Sequence, residues 1–590
     1  MSYVSSLSSS DTTVYTSIST SGSITFSGLG NGTDFSEIID ATIEAESYKL
    51  DSYEEDQEEK EAIVELLETL DELMEDLSET LSEFDEIDEF LPMTTTTEDA
   101  FTAEADGDAA TGSHTIVVNQ LAQADVWVDS AYGYSSEDAV VASSATTFTF
   151  TYAGEEISLD IAAGTTIEGL VSAINTSSST TGKVTASLVY DGDSYYFTLS
   201  GDDTGADNAI VITDTGTLTG LSASNFTNTM TAQDCLIKVD GFPSGTDDWI
   251  ARDSNVIDDV ITGVTLTVTD TTDSAGETLT VNYDTDALAE NIETFLSEVN
   301  QIILEIQTLT GKLDQDYEND DAVSTDTDDE DEEEEDEDIT INSATLELMY
   351  SEIKSILSSS GLGFLAYDSD EDSGDLFSTL SQLGIYTDTE EGSDTFGQLQ
   401  LDEDTLEECI DADPYAVAAL FATNNVAESD SDSLQVISIV EDMTEPGEYE
   451  VEYTVTNGQL VSATINGETA TVSGWTILGT GDESSGLYLQ VVDQSDGDHD
   501  GTVRVKQGKI SQLIESIDKM TQDYEGTLAI LIDSYEQGID DLDDRIYYET
   551  ERLDRLETYL TSKYATLDEN LSYYTNLEST LSSLVESLSD

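Results

Sequence analysis

Positive charge is what this sequence most lacks. Fifteen Lys and Arg stand against 130 Asp and Glu, a net charge of -115 over 590 residues. A surface of that sign repels phosphate backbones and anionic lipid, so nucleic acid and anionic membranes are disfavoured as partners. It also repels itself. Salt shortens the Debye length to ~3 Å at 1 M, so the composition implies saline surroundings or divalent cations. Cysteine is almost missing: Cys235 and Cys409 lie in segments of different character and read as small apolar residues, not a disulfide. The two histidines, His114 and His499, are far apart, and no GxSxG, HExxH or CxxC occurs. A Ser/His/Asp triad or a zinc site therefore has no raw material, and no enzyme is expected. No run reaches the ~18 apolar residues of a membrane-spanning helix, so no membrane insertion is expected. "MSYVSSLSSSDTTVYTSIST" has neither a basic n-region nor an apolar h-region, and export without a Sec signal is the expectation.

Glycine does occur, and where it clusters it invites a nucleotide reading. "FSGLGNGTDFSEIIDATIEAE" (26–46) has GxGxG spacing, not the GxGxxG of a dinucleotide fingerprint, and no hydrophobic strand precedes it. Gly28, Gly30 and Gly32 read instead as a flexible joint ahead of a helix that Asp34 caps. Phe35, Ile38, Ile39 and Ile43 share one face of that helix. The sharpest ion-binding pattern is "DGDHDG", with Asp496, Asp498 and Asp500 at positions one, three and five of a calcium loop and Gly501 at six. Gln507 stands where the bidentate Glu belongs, and the flanks look like strands. A polar hairpin turn is the favoured reading, calcium the weaker one, and no other cofactor is expected.

What the chain has in quantity is periodic apolar patterning. Residues 1–47 read as a flexible segment and a leg helix, and 48–92 as a stem helix. Ile63, Leu70, Leu77 and Phe84 recur every seven residues, with Leu66, Leu73 and Ile87 between them, until Pro92. Residues 93–285 alternate as antiparallel strands do and are assigned to two β-rich head domains, one nested in the other. Residues 286–430 return to helical spacing, interrupted by an acidic loop, 326–338, with 12 carboxylates in 13 residues. Residues 431–507 form an additional β insert with Asn457-Gly458 and Asn466-Gly467 as hairpin turns. Residues 508–590 read as a carboxy-terminal coiled-coil leg on the column Ile539, Ile546, Leu553, Leu560, Leu567, Tyr574, Leu581 and Leu588. Eight of the 15 basic residues lie between Arg504 and Lys563, so this leg alone offers charge opposite to the amino-terminal helix, and pairing of the two termini within the chain is one expectation. The fold class is multidomain α+β, a helical coiled-coil or bundle stem made by both terminal segments with antiparallel β heads inserted.

Several stretches together resemble a known family. "GLGNGTDFSEIIDATIEAE" is similar to the amino-terminal signature of the bacterial flagellar filament-capping proteins (FliD, or hook-associated protein 2). "GTTIEGLVSAIN" with "KVTASLVYDGDSYYFTLSGDDTGADNAIVIT" resembles the repeat shared by flagellins and hook-associated proteins, and "CLIKVDG" with "SNVIDDVITGVTLTV" resembles a head segment of the cap. "LSQLGIYTDTEEGSDTFGQLQLDEDTLEECIDADPYAVAALF" is the most specific match, and "YLTSKYATLDENLSYYTNLESTL" resembles the terminal coiled coil. Thr33 and Cys235 depart from the family pattern. The resemblance implies a tip complex that retains exported flagellin and promotes its folding and insertion. It implies a ring of about five copies (four to six), head-to-tail, and contacts with flagellin and hook-associated junction proteins. It implies export by the flagellar type III apparatus with its chaperone, an extracellular place at the distal filament tip, and an adhesion role beside capping. Physical reasoning adds that terminal helices unpaired in the free chain would dock onto a helical filament. The competing readings are a coiled-coil-stalked adhesin and another hook-associated junction protein.

Overall fold

Between Phe35 and Leu91 the sequence contains neither glycine nor proline, and the chain answers with one unbroken helix, α1 (Ser36–Ser82). The computed structural model describes residues 16–18, 24–26, 35–312, 340–341, 343–367, 373–390, 393, 395–440 and 443–589. Gly28, Gly30, Gly32, Asp34 and the acidic run 326–338 lie outside the described residues. Two three-residue strands, Thr16–Ile18 and Ile24–Phe26, pair antiparallel in the segment that composition marks as unstructured. A domain boundary at 47/48 does not occur, because nothing there breaks a helix. The helix also ends earlier than Pro92. It stops at Ser82, and a turn leads to the four-residue α2 (Ile87–Phe90), whose Phe90 turns inward against Phe421 at 5.2 Å. Phe84 therefore sits in the turn, half-buried beside Phe90, rather than on the α1 stripe. The buried stripe itself is Ile63, Leu67, Leu70, Met74, Leu77 and Leu81; Leu66 and Leu73 are only partly covered.

After Pro92 the β-branched and alternating segments form two sheets on one hydrophobic core. Ile250–Arg252, Cys235–Val239, Gly112–Gln120, Glu277–Tyr283 and Met93–Thr96 lie in that order, all antiparallel, beside a three-stranded sheet of Val256–Ile261, Val264–Val268 and Phe101–Ala105. A second core is built wholly from residues 134–226, inside the first unit's span. Its sheets are Phe226–Met230, Ala124–Asp129, Tyr195–Thr204, Val184–Tyr190 and Ile210–Asp214, Thr146–Tyr152, Glu155–Ile161, with α3 (Ile167–Thr176) packed on them and capped by Thr166. The chain enters and leaves through one narrow neck. Gln123 and Gln233 exchange both backbone hydrogen bonds, at 2.9 and 3.2 Å. Just beyond, the buried Asp125 carboxylate accepts from the amides of Ile210 and Ala232, the Trp127 indole and the Asn228 side chain.

The third core is helical. α4 (Thr285–Leu309) starts at the cap Asp284 and buries Leu288, Ile292, Phe295, Val299, Ile302, Ile306 and Leu309, the four-and-three spacing of its sequence. α5 (Ala344–Ser358), α6 (Glu403–Ala412) and α7 (Pro414–Ala422) join it, the last with Asp413 as cap and Pro414 in its first turn. The expected carboxy-terminal leg is two helices. α8 (Lys509–Thr521) is buried in this core, and only α9 (Thr527–Ser589) projects, after a turn in which Tyr524 takes φ +64°. Lys509 explains why α8 stays inside: its Nζ donates to the carbonyls of Ile356, Ser359 and Ser360, where α5 ends. Burial pulls its pKa down to about 8.

The fourth core fills the insert. Gly447–Thr456 buries Tyr449, Val451, Tyr453 and Val455 and exposes Glu448, Glu450 and Glu452, the period of two expected of a half-buried strand. It pairs with Gly497–Lys506 on one side and Gln459–Ile465 on the other. Asn457 and Gly458 both take positive φ (53° and 69°), as a two-residue hairpin turn of this twist requires, and Asn466-Gly467 does the same.

Candidate functional site: the terminal helix pair

α1 and α9 lie antiparallel. Phe35 stacks on Tyr564 with ring centroids 5.1 Å apart, Glu46 meets Arg552 at 3.1 Å, and Gln57 donates to Asp543 at 2.8 Å. Lys60 rides over the Tyr535 ring at 5.4 Å. The paired residue numbers thus rise on one helix as they fall on the other. The two terminal helices are therefore paired within the one chain over this stretch, and the expectation that they are unpaired in the free chain fails there. Arg545 and Lys49 both sit over the Tyr53 ring, at 6.0 and 5.5 Å. Cation–π contacts of this kind are worth ~0.5–1 kcal/mol at exposed sites.

The α9 column divides where α1 runs out. Ile539 and Ile546 are half-buried, and Leu553 and Leu560 are 7% and 8% exposed. Leu567, Tyr574 and Leu581, past the Phe35–Tyr564 stack, are 42%, 65% and 55% exposed. Leu588 belongs to the same helix, but its side chain lies outside the described residues. Twenty-five residues follow Tyr564 in α9, about 38 Å at the helical rise. Among the described residues no second helix runs beside them. On α1, Ile63, Leu70 and Leu77 face the helical core, while Phe84 lies beyond the helix. Of the apolar face at the start of α1, Phe35 and Ile39 are buried and Ile38 is exposed. The residue that sequence patterning missed is Tyr564, which closes the outer end against Phe35. It stands outside the α9 column and carries no heptad signal of its own. The contact becomes visible only across the 529 positions that separate Phe35 from Tyr564.

The three aspartates of the calcium candidate lie at the start of the strand Gly497–Lys506, Asp496 just before it and the other two within it. Asp496 Oδ1 accepts the Gly458 amide at 2.7 Å, Asp498 Oδ1 accepts from the Thr454 hydroxyl, and Asp500 lies in the strand opposite Glu452. The Asp496 and Asp498 carboxylates thus bond the neighbouring turn and strand, and among the described residues no three His, Cys, Asp or Glu side chains gather to hold a metal. His499 stacks on Tyr453 and bonds the Ser495 carbonyl, while His114 meets Asp240 at 2.8 Å in the outer head. Cys235 is buried in that head, which pushes its thiol up to about 11, and Cys409 is half-buried in the helical core; both are free.

A second polar feature fixes the insert to the helical core. Arg504, almost fully buried, takes Asp430 with two bonds of 2.6 Å, Asp375 at 2.6 Å and Glu428 at 2.5 Å. Lys506 shares Asp375 and Glu428. Burial works against the guanidinium charge, and the three carboxylates outweigh it, so its pKa is held above the ordinary range.

Residues 232–576 match the family described as Flagellar hook-associated protein 2 C-terminus, 31–125 its N-terminus, and 147–203, inside the nested head, the Flagellin hook IN motif. Flagellar hook-associated protein 2 of Escherichia coli O157:H7 is 28% identical over 411 residues, 68% of this chain and 80% of that protein. The lateral flagellar hook-associated protein 2 of Vibrio parahaemolyticus is 30% identical over 226 residues, 36% of this chain and 50% of that protein. The crystallised D1-D2-D3 domains of the Escherichia coli flagellar cap protein FliD align at 25% identity over 61% of this chain and 90% of that one, with a TM-score of 0.46. With more than half of its length matched to the carboxy-terminal family and its amino-terminal region to the companion one, this chain belongs to the flagellar hook-associated protein 2 (FliD) family of flagellar cap proteins.

Proposed function

We propose that the chain works as an oligomeric cap at the distal, extracellular tip of the flagellum, where it retains exported flagellin and promotes its insertion. The observation that carries this reading is the division of α9: one apolar column, covered by α1 as far as Leu560 and exposed from Leu567 through Leu581. A helix face exposed at that length suits docking onto helices of a filament. In this reading α1 and α9 form a coiled-coil stem, the four cores are the folding units it carries, and the β heads form the plate over the growth point. The copies form a closed ring of about five, since head-to-tail contacts must close to avoid open fibres. Type III export delivers the chain. The work is assembly and involves no bond-making chemistry.

Truncation after Tyr564 tests the assignment, because it removes the exposed column and leaves the α1–α9 contacts in place. The truncated protein is expected to keep its thermal transitions within a few degrees and to be exported, while flagellin accumulates unpolymerised in the medium. Filaments of normal length in that strain would refute the docking role.

A further inference from the structure

Two helices of the same charge seldom choose each other. α1 carries 18 Asp and Glu against 2 Lys, and α9 carries 14 against 4 Lys and Arg. Their pairing changes character along its length. From Ile63 to Leu81 six side chains of α1 are buried within the helical core. Between Ile39 and Ile63 no side chain of α1 is buried, and the facing part of α9 contributes only Leu542, Leu553 and Leu560 to a buried seam. Over that outer stretch 36–61 carries eleven acids and two lysines, and 536–564 nine acids and four basic residues.

The scarce cations are spent on the seam itself. Arg552 bonds both the Glu46 carboxylate and its carbonyl, while Lys49, Lys60 and Arg545 lie over tyrosine rings. Among the described residues, Arg552–Glu46 is the one ion pair that joins the two helices. Other carboxylates meet one another: Glu557 is raised by burial and by Asp554 and Asp40, the last from across the seam. Where apolar cover is thin and like charge is dense, screening decides the balance. The Debye length is ~30 Å at 0.01 M salt, wide enough to couple every charge across the pair, and ~3 Å at 1 M, shorter than most of their separations. Gly538, the one glycine in either helix, lies beside Lys60 at the level where the deep core ends. A mid-helix glycine is the weakest link for bending.

We propose that the outer half of this pair is an electrolyte-gated clasp: screened, 36–61 closes on 539–564; unscreened, the two acidic segments part at the level of Lys60 and Gly538 while 63–82 stays in the core. A clasp held by its ion pair would respond with the opposite sign, loosening as salt rises. Opening would also uncover Phe35, Ile39, Leu553 and Leu560 beside the distal column, a consequence that rests on the docking role proposed above.

The test uses the full chain in solution, so it is independent of whether filaments are capped. In a Cys409→Ser background, nitroxides at Tyr48→Cys and Tyr548→Cys report the outer pair, and nitroxides at Glu79→Cys and Lys519→Cys report the inner region. Pulsed electron–electron distance measurements at 1 M and 10 mM NaCl are expected to show one short, narrow outer distance at high salt. At low salt the long-distance population should be at least tenfold larger, with the inner distance unchanged. Equal outer distributions at both salts, opening at high salt, or inner and outer pairs moving together would each overturn the proposal. The neutralising set Glu54→Gln, Glu58→Gln, Asp544→Asn and Glu551→Gln should stay closed at 10 mM. If it opens as readily as the parent, like-charge repulsion is not the cause.

Discussion

Asp129 ends a strand of the nested head with no solvent exposure, and its Oδ2 has no hydrogen-bond partner among the described residues. Burial pushes its pKa up to about 6, only partly offset by the Ala131 and Tyr132 amides. Between pH 4 and 6 the folded chain keeps a proton that the unfolded chain has released. Stability of this head therefore falls as pH rises through that window and levels off above it. Two pKa units correspond to about 3 kcal/mol, most of it already lost at pH 7. Asp129→Asn should remove the slope and stabilise the nested head at pH 7 by roughly 1–2 kcal/mol, less than the full amount because the new amide also lacks a partner. Chemical denaturation at pH 4, 5, 6 and 7 checks this, and parallel curves for the two proteins would contradict it. Arg504 predicts the reverse. Arg504→Met strands Asp375, Glu428 and Asp430 beside one lysine, and removing one member of a buried ionic cluster costs ~3–5 kcal/mol. Calorimetry should show the insert melting earlier while the head transitions stay in place.

At the scale of elements, legibility followed the clarity of each local signal. The α4 spacing named seven of its ten buried residues, missing Leu296, Ile303 and Gln307, and the two Asn-Gly pairs gave their turns, because both signals are local. In α1 the phase was hidden. Adjacent leucines at 66–67, and Leu73 beside Met74, fit two stripes equally well, and only the core chose Leu67 and Met74. The end of α1 at Ser82 was illegible because residues 83–86 contain no Gly or Pro; packing of Phe90 on Phe421 imposes the turn. The site was legible as a column on α9 but not as a covered and an uncovered half, since that depends on where α1 stops. An element-scale prediction follows from the cover. Leu553→Asp with Leu560→Asp should release 36–61 from α9 without touching the four cores. Glutamyl endopeptidase cleavage around Glu54–Glu61 should rise at least tenfold while the head and insert transitions remain. Unchanged cleavage would mean that the aromatic stack and the cation–π contacts hold the pair without the leucines.

At the scale of the whole molecule the chain is a set of cores threaded by a few strands, and the nesting makes a sharp demand. The nested head draws its buried residues from 134–226, the outer head draws its own from 100–122 and 235–281, and the two segments between them meet at Gln123 and Gln233. Those residues already form an antiparallel bridge, the geometry from which a two-residue turn continues. Replacing 124–232 by Asn-Gly should therefore close the outer head rather than unravel it. Ala122 and Cys235 remain to fill the outer core, and Asp125, which ties the neck to Ile210 and Ala232, leaves with the partners it satisfies, so no buried carboxylate is stranded. Scanning calorimetry of the shortened chain should lose one transition and keep the others within a few degrees. Loss of the outer-head transition as well would show that the two cores fold as one cooperative unit, with the neck a shared part of both. Beyond the neck the two heads also meet where the Ala206 amide donates to Asp234 and the Thr204 hydroxyl to the Asp253 carbonyl. These contacts are polar and the apolar cores are separate. Cooperativity follows buried contact rather than chain order, so independent transitions are the expected result.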